Sequence, residues 1–144
     1  MRVYLDACSY NRPFDDLSQD RVRLEAEAVL SILRLCRIGD WVLVGSDVVD
    51  LEVSKTKNPK RREKVAEYCG IAKEYIVATG EIVQRATELQ GHGFRLFDSL
   101  HIALAEEAQV DALISTDDKM IKLANRLDLK TVVINPINWF SEVL

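Results

Sequence analysis

The chain has 144 residues, of which 48% are hydrophobic and 29% are charged, a composition typical of one globular domain with a substantial core. No apolar stretch approaches the roughly 18 residues that a membrane span requires, and Asp6 and Arg12 interrupt the N-terminus too early for a signal peptide. A formal net charge of −4 does not by itself indicate a nucleic-acid binder. We therefore expect a soluble, cytoplasmic protein with a single domain over residues 1–144.

Short apolar runs alternate with longer helical patterns along the chain. The runs Val3–Leu5, Trp41–Val44, Ala112–Ile114 and Thr131–Ile134 predict buried strands, and Tyr75–Val77 predicts a further short one. Helices are predicted from Val22 to near Gly39, after Ser46, from Pro59, over 80–90, over 98–108, over 117–127 and from Pro136. No helical pattern begins at Asp6. This alternation predicts a three-layer α/β/α sandwich with a central, mainly parallel sheet of four to five strands.

Three acids stand where predicted strands end or helices begin. Asp6 follows the first strand, Asp98 opens an almost wholly apolar helix, and Asp117 follows the strand at Ala112–Ile114. Acids at the carboxyl ends of parallel strands tend to converge on one crevice of the sheet. Because several carboxylates in a small space repel one another, such a cluster needs a cation.

Each acid also has a simpler explanation. Asp6 is equally well explained as a turn-forming residue, and Asp98 as the N-cap of its helix. Asp117 is nearer to its strand than Asp118, which is interpreted as a first-turn acid or an accessory to the site. Glu52 lies one helical turn from Val48 and so shares a largely inward row, where it competes with Asp47 and Asp50.

Other reactive residue types give weaker signals. Cys8, Cys36 and Cys69 form neither a CxxC pair nor a zinc-ligand pattern, which is typical of free thiols in a reducing compartment. Neither His92 nor His101 belongs to a recognisable catalytic arrangement, and His101 is interpreted as a partly buried structural residue.

Positive charge is concentrated between Lys55 and Lys64, where six basic residues accompany the single acid Glu63. Such a segment could contact phosphates without reading sequence, although a solvated helix face explains the charges equally well. Arg12 lies close to Asp6 in the chain. The residues predicted to contact a substrate are Arg12, Lys55, Lys60, Arg61 and Arg62.

With its four acids in this order, the chain resembles the PIN-domain family, including VapC-like toxins, over nearly its full length. The segments that carry the resemblance are Tyr4-Leu5-Asp6, Ser46 followed six residues later by Glu52, Phe97-Asp98-Ser99-Leu100-His101-Ile102-Ala103, Leu113-Ile114-Ser115-Thr116-Asp117 and Val133-Ile134-Asn135-Pro136. Two positions depart from the family pattern. Ala7 stands where many relatives have Ser or Thr, with Ser9 as a substitute to consider, and Ser115 often corresponds to Thr.

The resemblance implies an endoribonuclease in which Asp6, Glu52, Asp98 and Asp117 bind one or two Mg²⁺ or Mn²⁺ ions and form the catalytic site. All-oxygen ligands suit these cations. Ser9, Ser46, Ser115 and Asp118 would be accessory residues. Expected partners are RNA, a co-encoded antitoxin and a second copy of the chain, with no membrane. A PIN-like module that binds RNA or protein without cleaving remains the main alternative.

Overall fold

Continuous apolar runs form the centre of one parallel sheet in the computed structural model, which describes residues 1–143. The five strands stand in the order β3-β2-β1-β4-β5. Their bounds are β1 (Arg2–Leu5), β2 (Val42–Ser46), β3 (Glu74–Ile76), β4 (Ala112–Ile114) and β5 (Val133–Ile134). Val3 pairs with Leu43 on one side and with Ala112 on the other, so β1 is central and its apolar side chains are buried on both faces.

Helices flank this sheet, and together they give the PIN-like α/β architecture that the alternating pattern predicts. Their bounds are α1 (Ala7–Asn11), α2 (Asp20–Ile38), α3 (Asp47–Ser54), α4 (Pro59–Cys69), α5 (Gly80–Gly91), α6 (Leu96–Ala108), α7 (Asp118–Asn125) and α8 (Pro136–Val143). A 3-10 turn at Arg12–Phe14 follows α1. Helix α2 packs against α8, and α5 packs against α6. No helix of the described residues is long and apolar enough to cross a membrane.

Local sequence explains where several helices begin and end. Ser46 accepts a hydrogen bond from the amide of Val49 and so caps α3, and Asn58 caps α4 in the same way, with Pro59 in its first turn. Gly39 ends α2 in the left-handed region, at a φ of 92°, where a side chain would be strained.

Two expectations from the sequence were wrong at the helix starts. A helix does follow Asp6 directly, because the Asp6 carboxylate accepts the Ser9 amide at 3.0 Å and buried Tyr10 anchors the turn. Five residues are too few to give a recognisable period. Asp98 is not an N-cap, because α6 begins at Leu96 and places Asp98 within its first turn.

Candidate active site

The parallel sheet brings the predicted acids to one edge. Asp6 directly follows β1, Glu52 lies on the helix after β2, and Asp117 follows β4 by three residues. Glu52 and Asp117 both line an open cleft of about 530 Å³, together with Ala7 and Cys8. The negative charge of Asp6, then burial, and then the charges of Glu52, Asp117 and Asp98 raise the pKa of Cys8 to about 12. Cys8 is therefore a poor nucleophile but a useful marker of where the acids meet.

Asp6 is almost fully buried, with 2% of its surface exposed. Its carboxylate accepts the Ser9 amide, and burial raises its pKa despite opposing hydrogen bonds from Ser115 and Ser9. The Ser9 hydroxyl donates to the Ile114 carbonyl at 2.9 Å and so ties α1 to the end of β4. Ser9 and Ser115 thus orient the base of the cleft.

Asp98 is half-buried in the first turn of α6. Burial and the negative charges of Asp117 and Asp6 raise its pKa to about 6. Other carboxylates therefore lie near Asp98, as is expected of acids that share one site.

Asp117 and Asp118 have different surroundings. Asp117 caps α7 by accepting the amides of Lys119 and Met120 at 3.0 and 3.2 Å, and its own amide donates to the Ser115 hydroxyl. Asp118 is exposed and forms an ion pair with Arg21 at 2.5 Å. Of the two acids, Asp117 is the one that lines the cleft.

A buried chain of polar groups holds Glu52. The Glu52 carboxylate bonds to His101 Nε2, while Nδ1 of the same ring lies 2.6 Å from the Tyr4 hydroxyl. Tyr4 continues the chain to the Ser46 hydroxyl at 2.7 Å. His101 is more deeply buried than expected, at 1% exposure, and its contact with Glu52 was not predicted from the sequence. The sequence gives one indication of this contact, because His101 is a polar ring one turn after Asp98 on a mainly apolar helix.

The predicted basic residues do not share one environment. Arg12 and Lys55 line the cleft together with Glu52 and Asp117, and Lys60 is exposed on α4. Arg61 instead donates to the Asn11 side chain and to Asp15, the latter at 2.5 Å. Arg62 donates to the Thr56 carbonyl at 2.8 Å. Arg61 and Arg62 thus already bind partners within the protein.

The donor chemistry of the cleft suits a hard divalent cation, since all four acids supply carboxylate oxygens. Burial raises the Asp98 pKa most, and repulsion by Asp117 and Asp6 adds to it; a bound cation would relieve this repulsion. Within residues 1–143, however, no group of three or more His, Cys, Asp or Glu side chains already stands close enough to hold a metal ion. Metal binding would therefore require the carboxylates to draw together.

The fold and the acidic edge define a class: a PIN-like α/β protein with a five-stranded parallel sheet. No protein-family model matches the sequence, and no curated protein matches it. Among solved structures, the crystal structure of FitAcB from Neisseria gonorrhoeae matches with a TM-score of 0.60 and 15% identity, covering 93% of this chain and 97% of that chain.

The crystal structure of VapBC2 from Rickettsia felis, bound to a DNA fragment from their promoter, matches with a TM-score of 0.59 and 18% identity, over 94% of this chain and 98% of that chain. The matched chains are the PIN-domain toxins FitB and VapC2. At these identities the similarity establishes a shared fold.

Proposed function

We propose that the chain is a metal-dependent endoribonuclease that hydrolyses RNA phosphodiester bonds and acts as the toxin of a toxin–antitoxin pair. The observation that carries this proposal is the convergence of negative charge on one cleft. Glu52 and Asp117 line this cleft, and the charges of all four acids, Asp6 and Asp98 included, act on Cys8 in its wall. The fold shared with FitB and VapC2 supports the same reading.

The four acids would hold one or two Mg²⁺ or Mn²⁺ ions. Such an ion, when bound, lowers the pKa of a coordinated water and offsets charge on the phosphorus oxygens. Asp6 and Asp117 keep fixed carboxylate orientations because backbone amides bond to them. Glu52 is oriented by His101 and can either complete the ligand set or orient the attacking water. No side-chain nucleophile is needed.

Arg12 and Lys55 are the cations best placed to contact RNA phosphates, since both line the cleft. Lys60 can extend this contact from the exposed face of α4. Arg61 and Arg62 are not among the residues that line the cleft, and they would contribute mainly by stabilising the segments beside it, through their bonds to Asp15 and to the Thr56 carbonyl.

A protein antitoxin is the expected partner. FitAcB and VapBC2 are complexes of a toxin with an antitoxin, and an open acidic cleft is a surface that a basic peptide segment could cover. A second copy of the chain is a further expected partner. Co-expression of the neighbouring reading frame, followed by co-purification, tests the first expectation.

Two observations favour a second candidate, a PIN-like module that binds RNA or protein without cleaving it. The described residues do not present a preassembled group of metal ligands, and Ala7 lacks the hydroxyl common after the first Asp. A catalytically silent module would retain the fold and the basic face of the cleft without metal-dependent chemistry.

The two candidates are separated by RNA cleavage measured against Mg²⁺ or Mn²⁺ concentration. We expect the wild-type protein to produce cleavage products only when the metal is present, and the Asp98→Asn variant to produce none while keeping its circular dichroism spectrum. Asp20→Asn is the matched control, because Asp20 is an exposed acid outside the cleft. Undiminished metal-dependent cleavage by both Asp6→Asn and Asp98→Asn would refute the assignment of the site.

A further inference from the structure

A buried acid outside the four candidate ligands pairs with a residue that lines the cleft. Glu25 is on α2 and has no exposed surface. An ionised carboxylate at such a position is costly unless it is paired. Its partners are Arg12, with Nη2 3.0 Å from Oε1, Arg21, with Nε 3.5 Å from Oε2, and the side-chain amide of Asn135, which donates to Oε2.

Arg12 is the partner that reaches the cleft. Its guanidinium also donates to Asp15 through Nη1 at 3.0 Å, so two carboxylates hold it from two directions. A planar guanidinium bound by two acids has little freedom to rotate. The cleft is therefore lined both by the acids Glu52 and Asp117 and by Arg12, whose guanidinium is held in place.

We propose that Glu25 is a positioning residue that holds Arg12 at the edge of the acidic cleft, where Arg12 contacts a phosphate of the bound RNA. This inference rests on the proposed RNA substrate. Without Glu25, the Arg12 guanidinium would be paired with Asp15 alone. A flexible arginine loses more conformational freedom when it binds a phosphate than one already held in place.

The chain offers a matched comparison for this pair. Glu106 on α6 is also buried and is held by Arg85 on α5, with the closest atoms 2.8 Å apart. That pair lies away from the acidic cleft. Replacing Glu106 should therefore lower the stability of the fold, as the loss of any buried paired acid does, without changing the affinity for RNA.

The test is a double-mutant cycle with a short fluorescein-labelled single-stranded RNA, whose affinity is measured by anisotropy in EDTA so that no cleavage occurs. We expect Arg12→Gln to weaken binding about tenfold, and Glu25→Gln to weaken it by a smaller factor. The double variant should bind like Arg12→Gln alone, because Glu25 acts through Arg12. The slope of log Kd against log salt should fall by about one in Arg12→Gln, and Arg12→Lys should restore it while recovering only part of the affinity.

The controls separate positioning from general destabilisation. Glu106→Gln should lower the thermal midpoint without changing RNA affinity. If Glu25→Gln does not fold, Asn135→Ser replaces it, since Ser can still cap α8 but cannot reach Glu25. This variant should weaken RNA binding in the same direction.

Several outcomes would overturn the inference. Additive effects of Arg12→Gln and Glu25→Gln would show that Glu25 acts independently of Arg12. Unchanged RNA affinity in Glu25→Gln, or equal loss in Glu106→Gln, would exclude positioning. Cleavage measured with Mg²⁺ keeps the two proposals apart. If the protein does not cleave RNA but Arg12→Gln still weakens RNA binding, the nuclease proposal is refuted and the positioning role is supported. If the protein cleaves RNA and the Arg12 and Glu25 variants have normal KM values, only the positioning role is refuted.

Discussion

Replacing Asp98 by Asn should make the metal-free protein more stable while abolishing cleavage. Burial and the neighbouring acids raise the pKa of Asp98 from its ordinary 3.8 to about 6. A rise of this size corresponds to about 3 kcal/mol, and screening by solvent at this half-exposed position reduces it to about 1–2 kcal/mol. For a protein of this size, the thermal midpoint in EDTA should rise by roughly 3–6 °C at pH 7.

The pH dependence fixes the cause of this stabilisation. Between about pH 4 and pH 6, folded wild-type protein keeps a proton on Asp98 that the unfolded chain has released. The stability of the wild type therefore falls as pH rises through this window and levels off above it. The advantage of Asp98→Asn should be complete above about pH 6 and disappear below about pH 4.

Urea unfolding in EDTA at a series of pH values measures the difference between wild type and Asp98→Asn. Asp20→Asn should change stability by less than about 0.5 kcal/mol at every pH. Added Mg²⁺ should stabilise the wild type more than Asp98→Asn, because a ligand stabilises only the form that binds it. An Asn variant that is no more stable at pH 7, or equally advantaged at pH 4, would contradict the argument from repelling carboxylates.

Three further substitutions test the packing around the cleft. Tyr4→Phe leaves the buried His101 Nδ1 without its hydroxyl partner and should cost about 1–3 kcal/mol in urea unfolding. An unchanged midpoint would mean that the hydrogen bonds that link Tyr4 through His101 to Glu52 do not stabilise the fold. Arg61→Ala should lower the thermal midpoint by several degrees, whereas Lys60→Ala should leave it unchanged and weaken only RNA binding. If instead Arg61→Ala weakens RNA binding and leaves the midpoint unchanged, Arg61 is available to contact RNA. Gly39→Ala should cost about 1 kcal/mol, since φ is 92° there, and no loss would show that the turn can relax.

The sheet was predictable because its geometry leaves a direct trace in the sequence. A central parallel strand is covered on both faces, so Val3–Leu5 and Ala112–Ile114 are continuous apolar runs, and both are strands. Helix α6 was predictable for a similar reason, since burial on most sides requires an apolar residue at most positions. Its exact start was not, because Arg95 has no side-chain capping bond that would mark the boundary.

Contacts between distant segments left much weaker traces. Helix α1 is defined by a single capping bond and its packing rather than by a period. Arg61 resembles its basic neighbours in sequence, and only folding brings it to Asn11 and Asp15. Glu25 gave one usable signal, because it stands three residues after Val22 and four before Val29 and so interrupts an apolar row of α2.

Four buried or half-buried acids of this chain differ in how their charge is compensated. Glu25 and Glu106 each have an arginine nitrogen within about 3 Å, which is the usual solution for a buried carboxylate. Within the described residues, Asp6 and Asp98 form no salt bridge, and the pKa of each is raised. Among the described residues, Asp6 and Asp98 are thus left without a salt bridge, although Glu25 and Glu106 each have one. The cation site proposed above would account for this contrast, because a bound cation would compensate these charges, and strain of this kind persists where function requires it.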